Sequence, residues 1–185
     1  NNIQRKSIVV GFSLGGYIAI ELALSFPEKI SGLVLINSSA QSISLKGKEE
    51  RLKVIDLIKR GRFEVLLKKI FKNSFFDSRG YLSNIPLLLD MAKTIGSDAY
   101  LAQLQALLGV ECKLNRLSDL SFPTLLLHSD TDLVMPNDRS KKMHELFLQS
   151  DLVEVTKCGH MMPLERPTQV NKIIDQWIDE RLLHA

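Results

Sequence analysis

Ser7-Ile8-Val9-Val10-Gly11-Phe12-Ser13-Leu14-Gly15-Gly16 passes within ten residues from a β-branched run to a glycine-rich turn, and Leu14 to Phe26 continues with helical periodicity. The order is strand, tight turn, helix. Pro27-Glu28-Lys29 ends that helix, and Ile30 to Ile36 is apolar enough for a strand buried on both faces, as in a parallel sheet. Gly-x-Ser-x-Gly between a buried strand and a helix is the pattern of a nucleophile elbow. Cβ atoms at Gly11 and Gly15 are expected to clash with neighbouring backbone in such a turn. Ser13 is then held in a strained conformation with its hydroxyl presented beyond the strand end. The first helical N–H groups, that of Leu14 foremost, face any developing oxyanion. A phosphate-binding loop is the competing reading, but Gly11 to Gly16 carries neither a Walker lysine nor the dinucleotide fingerprint.

Beyond Ile36 the strand signal disappears from Gln41 to about Leu120. Apolar residues recur there at helical spacing, as Leu52, Ile55 and Ile58, then Phe63, Leu66, Leu67 and Ile70. Gly61, Gly80, Pro86, Gly96 and Gly109 are the expected punctuation of this helical insertion. Strand character returns in Thr124-Leu125-Leu126-Leu127-His128 after Pro123, followed by an amphipathic helix over Asn137 to Leu148 and a strand over Leu152 to Thr156. Pro167 stands where a first helical position is expected, opening a last helix through Leu182. Strands alternating with helices predict an α/β fold with a parallel sheet covered on both faces. The division expected is a core of 1–40 and 121–185 with a helical cap insertion of 41–120.

A serine hydroxyl is a weak nucleophile, so it needs a base, and the base needs a partner to fix its tautomer. Asp130 and Asp132 both lie in the loop after the third strand, and His160 lies in the loop after the fourth, where a parallel sheet gathers its C-terminal loops. His160 follows a glycine in a loop, an unusual place for a packing histidine. His128 at a strand end, His144 on a helix and His184 near the terminus read as structural or solvated. Met161, Met162 and Leu164 read equally as lining of an acyl pocket or as packing.

Gly11-Phe12-Ser13-Leu14-Gly15-Gly16, the stretch from His128 to Pro136, and Cys158-Gly159-His160-Met161-Met162-Pro163-Leu164-Glu165-Arg166-Pro167 together resemble the three signature segments of the α/β-hydrolase fold family. The order Ser, Asp, His is that family's. The resemblance implies Ser13 as nucleophile, His160 as base and Asp132 as acid, because the family's acid stands four residues before the proline, here Pro136. Asp130 is then a turn residue whose side chain caps local backbone. The alternative acid position after an earlier strand reads Asn37-Ser38-Ser39 and offers no carboxylate. The resemblance further implies strands ahead of the elbow and a second oxyanion donor, often near a His-Gly motif, so N-terminal strands are expected to be missing from this chain. Without that donor, activity is expected to fall by about 10²- to 10³-fold.

The expected function is hydrolysis of a carboxylic ester or related acyl compound through an acyl-enzyme, without metal or organic cofactor. C–C bond hydrolysis and acyl transfer use the same triad, and a hydrolase-like binding or assembly module is the non-enzymatic alternative. The composition accords with a protein that folds in water, as 45% of the 185 residues are hydrophobic and 24% charged. No apolar run approaches the roughly 20 residues of a membrane span, and Asn1 to Lys6 does not read as a signal peptide. Two cysteines and four scattered histidines form neither a disulfide framework nor a metal cluster, so a reducing, cytoplasmic setting is the expectation. A net charge of +3 is too small to argue for nucleic acid. Positive charge is nevertheless concentrated between Lys46 and Lys72, which reads first as the solvated face of helices, with docking of an acidic carrier protein, an anionic substrate or a membrane surface as the sharper alternative.

Overall fold

The computed structural model describes residues 6–183, so His184 and residues 1–5 lie outside the described part. Four strands, β1 (Ser7–Phe12), β2 (Ile30–Ile36), β3 (Thr124–Ser129) and β4 (Ser150–Val155), pair in the order β1-β2-β3-β4, all parallel. β2 and β3 occupy the middle of the sheet and are almost wholly buried, which explains why both are continuous apolar runs rather than alternating ones.

Alternate residues of the central strands feed two cores. Leu33, Leu35 and Leu126 meet Ala19, Ile20 and Ala23 of α1 (Leu14–Ser25) and Met143 of α5 (Asp138–His144) on one face. Val34, Ile36, Leu125 and Leu127 meet Val170 and Trp177 of α7 (Pro167–Ile178) on the other. The period of two along each strand thus requires helices on both faces. Among the described residues β1 pairs only with β2. Val10 on β1 and Ile18, Leu22 and Phe26 on or beside α1 are exposed.

Between β2 and β3 the chain is helical, as the spacing predicts. α2 (Leu45–Lys59) is capped by the Ser44 hydroxyl accepting from the Gly47 N–H, and α3 (Phe63–Lys72) follows after Gly61, whose φ of 75° suits only a glycine turn. α4 (Ser78–Leu108) is broken at Gly96, where φ is 81° and ψ 162°. Two of the expected punctuation points are not breaks. Gly80 lies in the first turn of α4, its N–H bonded to the capping Asp77 carboxylate at 2.8 Å. Pro86 lies inside α4, where the helix forgoes one backbone bond. Ile55, Ile58 and Leu104, with Phe63, Tyr100 and Leu108 around them, form a small core of the three helices' own. The amphipathic helix expected through Leu148 ends at His144, and the last helix gives way after Ile178 to a wider turn over Asp179–Leu183. No helix among the described residues is long and apolar enough to cross a membrane.

Candidate active site

Ser13 joins β1 to α1 with φ 50° and ψ −115°, a left-handed conformation for a residue with a Cβ. The surroundings hold it there. Its N–H donates to the Ile36 carbonyl at 3.0 Å, and its own carbonyl accepts from the Gly16 N–H at 3.0 Å and the Ser38 hydroxyl at 2.8 Å. Such strain costs on the order of 1–3 kcal/mol and persists only where neighbours over-determine it.

The turn's glycines divide differently from expectation. A Cβ on Gly11 would stand 2.5 Å from the Gly15 oxygen, and one on Gly16 would overlap the Ser38 side chain. One on Gly15 would meet nothing within 4 Å. The positions at which close approach excludes a side chain are therefore Gly11 and Gly16, not Gly15. Leu14 is the first residue of α1, and its N–H belongs to the group that lacks partners within the helix.

The C-terminal ends of β3 and β4 bring the other two groups to Ser13. His160 Nε2 lies 2.9 Å from Ser13 Oγ, and His160 Nδ1 lies 2.7 Å from Asp132 Oδ2. The second Asp132 oxygen accepts from the Val134 and Met135 N–H groups, each at 2.8 Å, which fixes the carboxylate's rotation. A carboxylate only accepts, so the imidazole proton belongs on Nδ1 and the Nε2 lone pair faces the serine hydroxyl. The Asp132 side chain is 1% exposed and that of His160 7%, while Ser13 is half-buried and reachable. Phe12 stacks beside the imidazole with ring centres 5.2 Å apart.

Three further side chains fasten the His160 loop. Asn37, buried at the end of β2 with φ 43°, donates to the His160 carbonyl and to the Ser129 hydroxyl, both at 2.9 Å, and accepts from the Ser129 N–H at 2.9 Å. Asp130 accepts from Lys157 at 2.9 Å and Cys158 at 3.2 Å. The backbone it caps there lies 27 and 28 residues away, beyond the local turn expected. Burial raises its pKa, but those N–H bonds and the Thr131 hydroxyl outweigh that and hold it below the ordinary 3.8.

Glu165 accepts from Gly159 at 2.9 Å and from Phe76, in the α3–α4 connection, at 2.8 Å. Burial pushes its carboxyl upward against both bonds. Gly159 is required here, because a Cβ would lie 2.6 Å from the Phe76 nitrogen. Asn37 and Glu165 were not singled out from sequence. The one signal for Asn37 was an asparagine at a strand's end, a residue type that tolerates positive φ.

The remaining histidines and methionines occupy other settings. His128 is buried on β3 beside Glu154, and His144 pairs with the Ser150 hydroxyl at 2.8 Å. Met162 is fully buried in the core against β3 and α7, and Met161 and Leu164 are half-buried in the turn that carries His160. Among the described residues no three His, Cys, Asp or Glu side chains cluster as a metal would require.

A model of the alpha/beta hydrolase fold matches residues 2–167. A pimeloyl-[acyl-carrier protein] methyl ester esterase of Wigglesworthia glossinidia brevipalpis is 26% identical over 189 aligned positions, covering 94% of this chain and 70% of that protein. A 2-hydroxy-6-oxononadienedioate/2-hydroxy-6-oxononatrienedioate hydrolase of Burkholderia vietnamiensis is 23% identical over 180, covering 94% of this chain and 62% of the relative. Among solved structures, a thermophilic esterase from Thermogutta terrifontis superposes with a TM-score of 0.85 at 23% identity, over 96% of this chain and 66% of that one. This chain thus spans roughly two thirds of the length of the proteins it matches. With a family match over nine tenths of its length and the parallel sheet that the family's fold demands, the chain belongs to the alpha/beta hydrolase fold family.

Proposed function

We propose that this protein hydrolyses a carboxylic ester or related acyl substrate through an acyl-enzyme on Ser13. The observation that carries the reading is the unbroken pair of hydrogen bonds from Ser13 Oγ to His160 at 2.9 Å and from His160 to Asp132 at 2.7 Å. His160 Nε2 takes the serine proton as Oγ attacks the carbonyl carbon, and Asp132 stabilises the imidazolium that forms. The Leu14 N–H, at the positive end of α1, donates to the oxyanion. His160 then returns its proton to the leaving group, and the same residue activates the water that releases the acid. Helices α2 to α4 serve as a cap over this site, joined to the His160 turn by Glu165.

The names of the two curated relatives support ester hydrolysis first and cleavage of oxo-dienedioates second, since one triad serves both. A fluorophosphonate probe tests the nucleophile. The protein is expected to label at Ser13, and Ser13→Ala is expected to abolish labelling and to lower turnover of p-nitrophenyl acetate by on the order of 10⁴-fold or more. Labelling undiminished in Ser13→Ala sinks the mechanism. Faster turnover of a vinylogous diketone than of p-nitrophenyl esters would select the second reaction.

A further inference from the structure

Between the start of α2 and the segment that follows Asp132 lies a cavity of about 340 Å³, bordered by Tyr17, Lys46, Glu50, Arg51, Met135 and Arg139 among others. Two of these are arginines brought together from distant parts of the chain. Arg51 is half-buried, and one Nη1 proton goes to the Gly47 carbonyl of its own helix at 3.1 Å. Arg139, also half-buried, borders the same cavity from α5, and burial first and the like charge of Arg139 second disfavour the Arg51 cation, with the Tyr17, Glu50 and Tyr100 side chains opposing. Arg60, Arg116 and Arg181 all rest on aspartates at 2.5–3.1 Å. Among the described residues neither Arg51 nor Arg139 has a carboxylate within 4 Å; Glu50 stays at the exposed rim, beyond that distance.

A guanidinium carries five donors in a planar fork, so this half-buried pair retains donors that no carboxylate among the described residues receives. Bringing two cations together in such a place is unfavourable for the empty protein and favourable once an oxyanion sits between them. The cavity also adjoins the reacting groups. Its wall from Leu133 to Pro136 includes the Val134 and Met135 N–H groups that hold Asp132, and Tyr17 lies one helical turn beyond Ser13. Tyr17 borders in addition a larger cavity of about 580 Å³, mostly apolar, which begins at Leu14 and passes Ala40, Ala102 and Ala106. An apolar chain in the larger space and a charged end at the arginines would share Tyr17 as their common wall.

We propose that the Arg51–Arg139 cavity binds an anionic group, carboxylate or phosphate, borne by the substrate at a distance from its scissile acyl bond. The assignment rests on the hydrolase reading above and adds a charge requirement to it. Mono-p-nitrophenyl adipate and methyl p-nitrophenyl adipate share the scissile ester and differ at the remote end, a carboxylate in one and its uncharged methyl ester in the other. The native protein is expected to favour the charged ester in kcat/KM by about tenfold or more, the scale of one charge-assisted hydrogen bond. That ratio is expected to collapse in Arg51→Gln and in Arg139→Gln, and to recover in part in Arg51→Lys. A ratio near one in the native protein, or a ratio that neither substitution moves, overturns the subsite. p-Nitrophenyl 6-(phosphonooxy)hexanoate separates the two sources of charge: preference over the adipate monoester assigns phosphate, and the reverse assigns carboxylate. Should no ester be turned over and Ser13 stay unlabelled, the hydrolase reading fails on its own. Calorimetric titration with adipate and with inorganic phosphate then tests the cavity directly. Binding abolished in the double variant Arg51→Gln/Arg139→Gln supports it, and absence of binding to the native protein overturns it.

Discussion

Asn37 sits where the ends of β2 and β3 meet the His160 turn, and its amide uses both donor and acceptor on those neighbours. Removing the side chain strands the buried Ser129 N–H and releases the His160 carbonyl, at a cost of about 1–3 kcal/mol for each group left unpaired. Because φ is 43°, Asn37→Gly isolates the loss of the amide from backbone strain that alanine would add. We expect Asn37→Gly to lower kcat on p-nitrophenyl acetate by about 10- to 100-fold with a smaller change in KM, since displacing a base by an ångström is enough for such a loss. A variant that loses urea stability but keeps kcat would reduce Asn37 to a packing role. The family resemblance points to a carboxylate as the informative residue type after β2, whereas the useful chemistry there is that of an amide. Nothing local announces which loops will converge on it. The hydrogen-bonded grouping of Ser13, Asp132 and His160 was legible because each stands in a motif whose order and strand-end position are local properties of the chain. The elbow glycines were half legible: the tightness of the turn was expected, but which neighbour fills the space depends on Ser38, a residue of the next strand's loop.

The buried strands announced themselves by composition, and the helices by spacing, to within a residue or two at most ends. Gly80 and Pro86 misled for one reason: a helix tolerates either where its backbone N–H is bonded to a capping side chain or can be forgone, and tertiary context overrides propensity. Register between strands was not legible, and it has an electrostatic consequence. β3 and β4 pair His128 with Glu154, yet the closest approach of Nδ1 to the carboxylate is 3.8 Å and that nitrogen has no hydrogen-bond partner among the described residues. Burial pushes the His128 pKa below the ordinary 6.5, and Lys141 acts in the same direction, against Glu154, Asp130 and the Ser129 backbone. A lowered histidine pKa means that the unfolded chain binds its proton first. Stability from this group is therefore complete above pH 6.5 and is lost as pH falls below it toward the folded value, with a slope of at most about 1.4 kcal/mol per pH unit for one proton. Urea midpoints measured from pH 7.5 to 5.5 should fall more steeply in the native protein than in His128→Gln. Parallel lines for the two proteins would remove His128 from the account.

At the scale of the whole molecule the apolar contacts are unequally shared. β2 and β3 lie between two cores, with Leu33, Val34, Leu126 and Leu127 at 0% exposure. The helices between those strands share a smaller cluster around Ile55, Ile58 and Leu104, bury Leu67, Leu88 and Ala92 besides, and expose Leu52, Val65 and Leu82 to solvent. Their ties to the sheet include the Glu165 clamp on Phe76, the Met161 N–H to the Ser74 carbonyl at 3.0 Å, and the Lys113 N–H to the Ala40 carbonyl at 2.7 Å. Regions with few buried contacts open at lower free energy than the core, so local opening of α2 to α4 should precede global unfolding. Native-state hydrogen exchange should find the slowest amides in β2 and β3 and a separate, faster group in α2 and α3. Ile58→Ala, which removes a buried side chain worth about 2–5 kcal/mol, should quicken exchange throughout the helical group and leave the strand amides nearly unmoved. If strands and helices quicken together, the helices share the sheet's cooperative unit and do not open as a separate body.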